Sequence, residues 1–217
     1  MKRPVLKSIV LLLVIVAVSP PASGQILRGF GLKAGVTSSD VRSPDLDLGG
    51  EEPTSFDTKR RTGVVALAYL EWLNLPAVSI VTEAGYIQRG YATELNVRDA
   101  QNNPAGTLRL TTRFDYVSFA AQAKVRLPHG TFEPYALAGP RLDIFVGGEP
   151  NEEGTLASAY STTAFGGTIG VGLEAFRPLP VTLFGEIRYN FDVTNSLPDV
   201  PRDAYNNAID LLIGVRF

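Results

Sequence analysis

The chain carries one histidine, His129, and no cysteine. Nucleophilic hydrolysis needs a base held against its serine in one cleft. The imidazole of His129 falls instead in the tight turn Pro128 to Thr131, which argues against a Ser–His hydrolase. The run Gly166-Gly167-Thr168-Ile169-Gly170-Val171-Gly172 imitates a phosphate-binding glycine loop. That chemistry requires a helix after the glycines, whereas this run sits inside an alternating, strand-like segment. Acidic stretches, Asp40, Asp45, Asp47, Glu51 and Glu52, then Glu149, Glu152 and Glu153, offer carboxylates to divalent cations. Their spacing fits no calcium loop, and they read as solvated loops. The charges left to explain are Glu83, Glu174 and Glu186 with Arg141 and Arg188, which recur at strand spacing among apolar residues. Their expected chemistry is ion pairing, with a proton or solute path only a distant second. No catalytic group, cofactor or metal site is expected.

The elements that position those charges have a period of two, which is the signature of strands. From Ile26 to Thr37 one face carries Phe30, Leu32, Ala34 and Val36, and the other Gly29, Gly31, Lys33 and Gly35. From Asn207 to Phe217, Ile209, Leu211, Ile213, Val215 and Phe217 alternate with Ala208, Asp210, Leu212, Gly214 and Arg216. Between them the pattern predicts strands at Arg61–Leu73, Val78–Tyr91, Leu108–Leu127, Glu133–Val146, Tyr160–Phe176 and Val181–Val193. The connections Asn74–Ala77, Pro128–Thr131 and Arg177–Pro180 are tight and carry proline or glycine. Ser38–Arg60, Ala92–Thr107, Gly147–Ala159 and Thr194–Asn206 are long and polar. Short and long connections alternate, as in an eight-stranded antiparallel up-and-down transmembrane β-barrel, with short turns in the periplasm and long loops outside.

The first residues predict the compartment. Lys2, Arg3 and Lys7 precede the apolar run Ile9–Val18, which is too short to span a bilayer as a helix. Ala22-Ser23-Gly24 suits signal peptidase, so residues 1–24 are expected to be a cleaved signal peptide and 25–217 the barrel domain, starting at Gln25. Without the three leading cations, 17 basic residues face 22 acidic ones, a net charge of −5. That excludes a basic nucleic-acid footprint. Past the signal no apolar run approaches the roughly 20 residues of a membrane helix, so insertion must use strands, and only a closed barrel satisfies their backbone in hydrocarbon.

With the apolar face toward lipid, parity turns the charges inward: Lys33, Glu83, Lys124, Arg126, Arg141, Asp143, Glu174, Glu186, Arg188, Asp210 and Arg216. The bore of an eight-stranded barrel is filled by side chains, and buried ions must be paired. The expectation is an ion-pair network that plugs the lumen. Inward glycines Gly31, Gly85, Gly139, Gly170 and Gly172 are expected to make room for its long cationic side chains. Outward aromatics Phe30, Trp72, Tyr86, Phe145, Tyr189, Phe191 and Phe217 are candidates for interfacial girdles. The alternative is that these aromatics form the core of a soluble exported barrel.

Several segments in order resemble the outer-membrane β-barrel domain proteins of the PorT-like, porin-family type. They are Gly31-Leu32-Lys33-Ala34-Gly35-Val36, Glu83-Ala84-Gly85-Tyr86-Ile87-Gln88-Arg89-Gly90, Pro134-Tyr135-Ala136-Leu137-Ala138-Gly139-Pro140, Gly170-Val171-Gly172-Leu173-Glu174 and Glu186-Ile187-Arg188-Tyr189. Where that family places a proline in the fourth strand, this chain has Tyr116-Val117-Ser118-Phe119-Ala120. The resemblance implies an eight-stranded outer-membrane barrel and no assigned activity.

Three roles remain open from sequence: a structural or surface-recognition barrel acting through its loops, a narrow pore, and a soluble binding barrel. The first is favoured, because recognition concentrates on loops. Expected partners are outer-membrane lipid and lipopolysaccharide, and the barrel assembly machinery, for which Ile213, Val215 and Phe217 form a C-terminal signal. Deleting Phe217, or replacing it with Asp, is expected to leave signal cleavage intact but cause periplasmic accumulation and degradation. Cell fractionation with heat-modifiable migration is the measurement, and outer-membrane assembly at the wild-type level would remove that role from Phe217.

Overall fold

The computed structural model describes residues 26–42, 58–73, 75–98, 104–127, 132–149, 162–175, 181–194 and 205–217. Residues 1–24, expected to be a signal segment, His129 and most of the acidic loop residues lie outside them. Alternating sequences zip into eight strands: β1 Leu27–Arg42, β2 Thr58–Trp72, β3 Val78–Arg98, β4 Pro104–Arg126, β5 Phe132–Glu149, β6 Thr163–Ala175, β7 Thr182–Asp192 and β8 Tyr205–Arg216. Every strand pairs antiparallel with its sequence neighbour, and β8 closes on β1 through Gly31↔Arg216 to Arg42↔Tyr205. The seam ends on reciprocal backbone bonds, with Phe217 donating to Phe30 O at 2.8 Å and Phe30 donating to Phe217 O at 3.4 Å. Their rings stack at 5.6 Å.

The outer wall carries large apolar side chains on all eight strands, among them Leu32 (58 % exposed), Val171 (59 %), Ile187 (53 %) and Ile213 (72 %). Leaving such area in water forgoes about 25 cal/mol per Å², which weighs against the soluble-barrel alternative.

The strand lengths correct two sequence expectations. Ala92–Thr107 is not a long loop: β3 and β4 run on through it and leave only residues 99–103 between them. Pairing with β2 stops at Thr58↔Thr93 and pairing with β5 at Arg113↔Glu149. Beyond those points β3 and β4 pair only with each other among the described residues and run past the ends of the β2 and β5 ladders. Ser38–Arg42 likewise belongs to β1, which makes the first connection shorter than expected.

Near the loop end the β2–β3 ladder slips by one residue between Arg60 and Val65. Gly90 lies opposite the slip with φ of 147°, a conformation that favours glycine. Its backbone is rescued from β1: buried Ser39 accepts from Gly90 N–H at 2.9 Å and donates to Gly90 O at 2.8 Å. Ser39→Ala leaves both backbone groups buried without that partner. We expect a loss of about 1–3 kcal/mol in urea unfolding of the reconstituted protein, with its β circular dichroism spectrum unchanged.

Candidate functional site

The inward positions of the strands form layers. Two layers are apolar. One contains Tyr69, Val81, Tyr135, Leu137 and Phe184, and the other Val65, Leu67, Ile87 and Leu212. Glycine makes the first possible. Gly31, Gly172 and Gly214 lie directly opposite Tyr69, Tyr135 and Phe184 on neighbouring strands. A Cβ on any of the three would overlap the facing ring. Gly31 and Gly172 therefore admit aromatic rings and not the cationic side chains expected there. Gly85 lies against Leu67 and Gly139 against the backbone of Ala121 and Gln122; of these five glycines only Gly170 borders a cationic side chain, that of Arg188.

The charged side chains gather in three tiers. At the turn end, Glu71 and Glu174 are fully buried among Arg28, Lys124, Arg126 and Arg216. Arg216 Nη1 bonds both oxygens of Glu174 at 3.0 Å and Glu71 Oε2 at 3.2 Å. Lys124 contacts Glu174 and Arg126 contacts Glu71. Arg126 also donates to Ser79 Oγ at 3.0 Å, and Lys124 Nζ stands 4.1 Å from the Tyr135 ring centre.

In the middle tier Arg188 forks onto Glu83, Nη1 to Oε2 at 2.5 Å and Nη2 to Oε1 at 2.7 Å, and its Nε meets Glu186. Lys33 Nζ bridges the same two carboxylates, at 2.5 Å to Glu83 and 3.3 Å to Glu186. Tyr135 donates its hydroxyl to Glu186 Oε2 at 2.7 Å. Bidentate, charge-assisted bonds of this kind are the strong ones.

At the loop end Arg89 meets Asp143 at 2.7 Å and Asp192 at 3.8 Å. Arg141 reaches Asp143 through Nε at 2.9 Å and contacts Asp192. Asp210 is bonded by Asn190, which donates at 2.7 Å and accepts from Thr168 Oγ1 at 2.7 Å. A small space beside this tier, bordered by Glu83, Ser118, Arg141, Arg188, Asn190 and Asp210, measures about 10 Å³. That is room for about one water molecule.

All eleven charged positions singled out from sequence are buried, and each lies in one of these tiers. Glu71 sets the parity of its strand in the sequence, but the network expected from sequence left it out, together with Arg28, Arg89 and Asp192. For Glu71, Arg89 and Asp192 parity holds the signal: Glu71 shares the face of Tyr69, Arg89 lies six residues from Glu83 and Asp192 six from Glu186. One aromatic assignment is reversed. Phe145 lies opposite Tyr116, and its ring meets those of buried Tyr116 and Phe114 at 5.9 and 6.1 Å, so it faces inward and not toward lipid. Trp72, Tyr86, Tyr189 and Phe191 stay on the outer wall with Phe30 and Phe217. Trp72 Nε1 donates to outward Thr82 Oγ1 at 2.8 Å, and Tyr189 stacks on Phe191 at 6.2 Å. Ile213 and Phe217 are also exposed on that wall, and Val215 is partly so. Among the described residues no group of three or more His, Cys, Asp or Glu could hold a metal ion.

A closed eight-stranded barrel with an apolar wall and charged tiers inside is the architecture of a small outer-membrane barrel. The family model for the outer membrane protein β-barrel domain matches residues 22–197, and the chain belongs to that family. Among solved structures, the outer membrane protein OprG from Pseudomonas aeruginosa aligns over 89 % of this chain and 98 % of its own, with 13 % identity and a TM-score of 0.50. Neisserial surface protein A aligns over 87 % of this chain and 97 % of its own, with 14 % identity and a TM-score of 0.48. At 13 % identity the likeness to OprG is one of fold. A search of curated protein sequences returns no match.

Removing one member of the middle tier leaves buried charge uncompensated. Glu83→Gln takes the shared carboxylate from both Lys33 and Arg188, each only 4 % exposed. We expect a loss of about 3–5 kcal/mol, read as a lower urea midpoint in lipid vesicles. An unchanged midpoint would show that the tier does not brace the fold.

Proposed function

We propose that this outer-membrane barrel is a sealed, non-catalytic strut that presents its loop end for recognition. The observation that carries this reading is the filled bore, in which three tiers of paired charge and two apolar layers occupy the lumen. A solute path would have to break ion pairs whose members are buried, leaving each partner unpaired at a cost of several kcal/mol. The tiers act as a plug, and the narrow-pore alternative loses its channel. Short turns then face the periplasm and the loop end faces outward, in the usual orientation of such barrels. The outer wall meets lipid and, in the outer leaflet, lipopolysaccharide. Ile213, Val215 and Phe217 present the apolar, aromatic-ended strand that assembly machinery reads, after a cleaved signal at residues 1–24.

Purified protein reconstituted into planar bilayers is expected to give no steady conductance across the physiological voltage range. Long-lived openings of uniform size would replace this reading with the pore.

A further inference from the structure

We propose that the small space between the middle and loop-end tiers is a binding site for one water molecule, held between the Arg141 guanidinium and the Asp210 carboxylate. The inference goes beyond the recognition role and does not depend on it.

The two tiers differ in how fully their own side chains satisfy them. In the middle tier none of Lys33, Glu83, Tyr135, Glu186 and Arg188 has a buried side-chain nitrogen or oxygen without a partner. The loop-end tier is under-bonded. Arg141 turns Nε to Asp143 and Nη2 to Asp192, and no acceptor in the protein reaches its Nη1. Asp210 accepts the Asn190 amide on Oδ2, and no donor in the protein reaches its Oδ1. Arg141 is 3 % exposed and Asp210 2 %, so bulk solvent does not serve either atom. Buried polar atoms of this kind are costly to leave unbonded, and those of ionised groups most of all.

One spare donor and one spare acceptor thus belong to side chains that border the same space, whose volume of about 10 Å³ suits about one water molecule. The charges around it select the occupant. An anion would face the carboxylates of Glu83 and Asp210, and a cation the guanidinium groups of Arg141 and Arg188. An organic molecule is too large. Water is neutral, accepts from Nη1 and donates to Oδ1, and keeps one further bond for Ser118, Thr168 or Asn190, which share the border. Leu67, Ile87 and Ala120 close the remainder with apolar groups.

The test is a crystal structure of the full chain in detergent, at a resolution that shows ordered water, repeated with crystals grown in bromide and in rubidium salts. We expect a single peak within about 3.2 Å of both Arg141 Nη1 and Asp210 Oδ1, with no anomalous signal in either salt. Bromide or rubidium at that place would make it an ion site and overturn the proposal, as would the lack of any peak. In solution, oxygen-17 relaxation dispersion on the protein in nanodiscs counts waters that exchange slowly. Ala120→Val, which directs methyl groups into the space, is expected to lower that count by about one. Ala120→Ser, whose hydroxyl takes the place of the water, is expected to do the same and serves if the valine variant fails to assemble. An unchanged count in an assembled variant overturns the assignment. The conductance measurement decides the sealed-barrel reading separately, because a single enclosed water makes no channel.

Discussion

The fold is governed by the cost of an unpaired peptide group in hydrocarbon, several kcal/mol for each one. Eight strands can meet it only if the last finds the first. The β8–β1 ladder from Gly31↔Arg216 to Arg42↔Tyr205 does so, and Phe217 finishes it with two backbone bonds and a ring stacked on Phe30. Closure then fixes which residues face inward, and most of the molecule follows from that. The same constraint operates locally at Gly90, where a slip in the β2–β3 ladder exposes a peptide and the Ser39 hydroxyl supplies both missing bonds.

Closure creates a second problem, an interior too narrow for bulk water and lined by ions. The solution is layered. Carboxylates and cations are stacked in tiers, and aromatic rings seated against glycine fill the space between. The tiers differ in balance. The turn-end tier has four cations, Arg28, Lys124, Arg126 and Arg216, around Glu71 and Glu174, with half-buried Glu133 opposite Glu174. The middle tier is two against two, and the loop-end tier sets Arg89 and Arg141 against Asp143, Asp192 and Asp210.

Much of this was legible in the residues. Strict alternation in β7 and β8 gave their faces, and the charges at inward parity gave the network without any knowledge of which partners meet. What the sequence hid has physical causes. The extension of β3 and β4 was read as loop because, past the ends of the β2 and β5 ladders, no membrane enforces an apolar face and a polar strand looks like a polar connection. Phe145 was assigned by its chemistry when its position, two residues after inward Asp143, should have ruled. The glycines were assigned to cations because spacing shows where room exists but not what fills it; the ring that fills each gap comes from the neighbouring strand, and its register is invisible until the sheet is built.

The middle tier also has a mechanical meaning. Its members come from β1, β3, β5 and β7: Lys33, Glu83, Tyr135, and the pair Glu186 and Arg188. These are alternate strands, so the bonds run across the bore and not along the wall. A hydrogen-bonded hoop resists stretching but flattens easily, since ovalisation bends the ladder without breaking it. Cross-links of opposite charge between alternate strands oppose that flattening directly. The barrel should therefore keep a round section under the lateral pressure of the bilayer, and the rim above it is carried on a base that does not breathe.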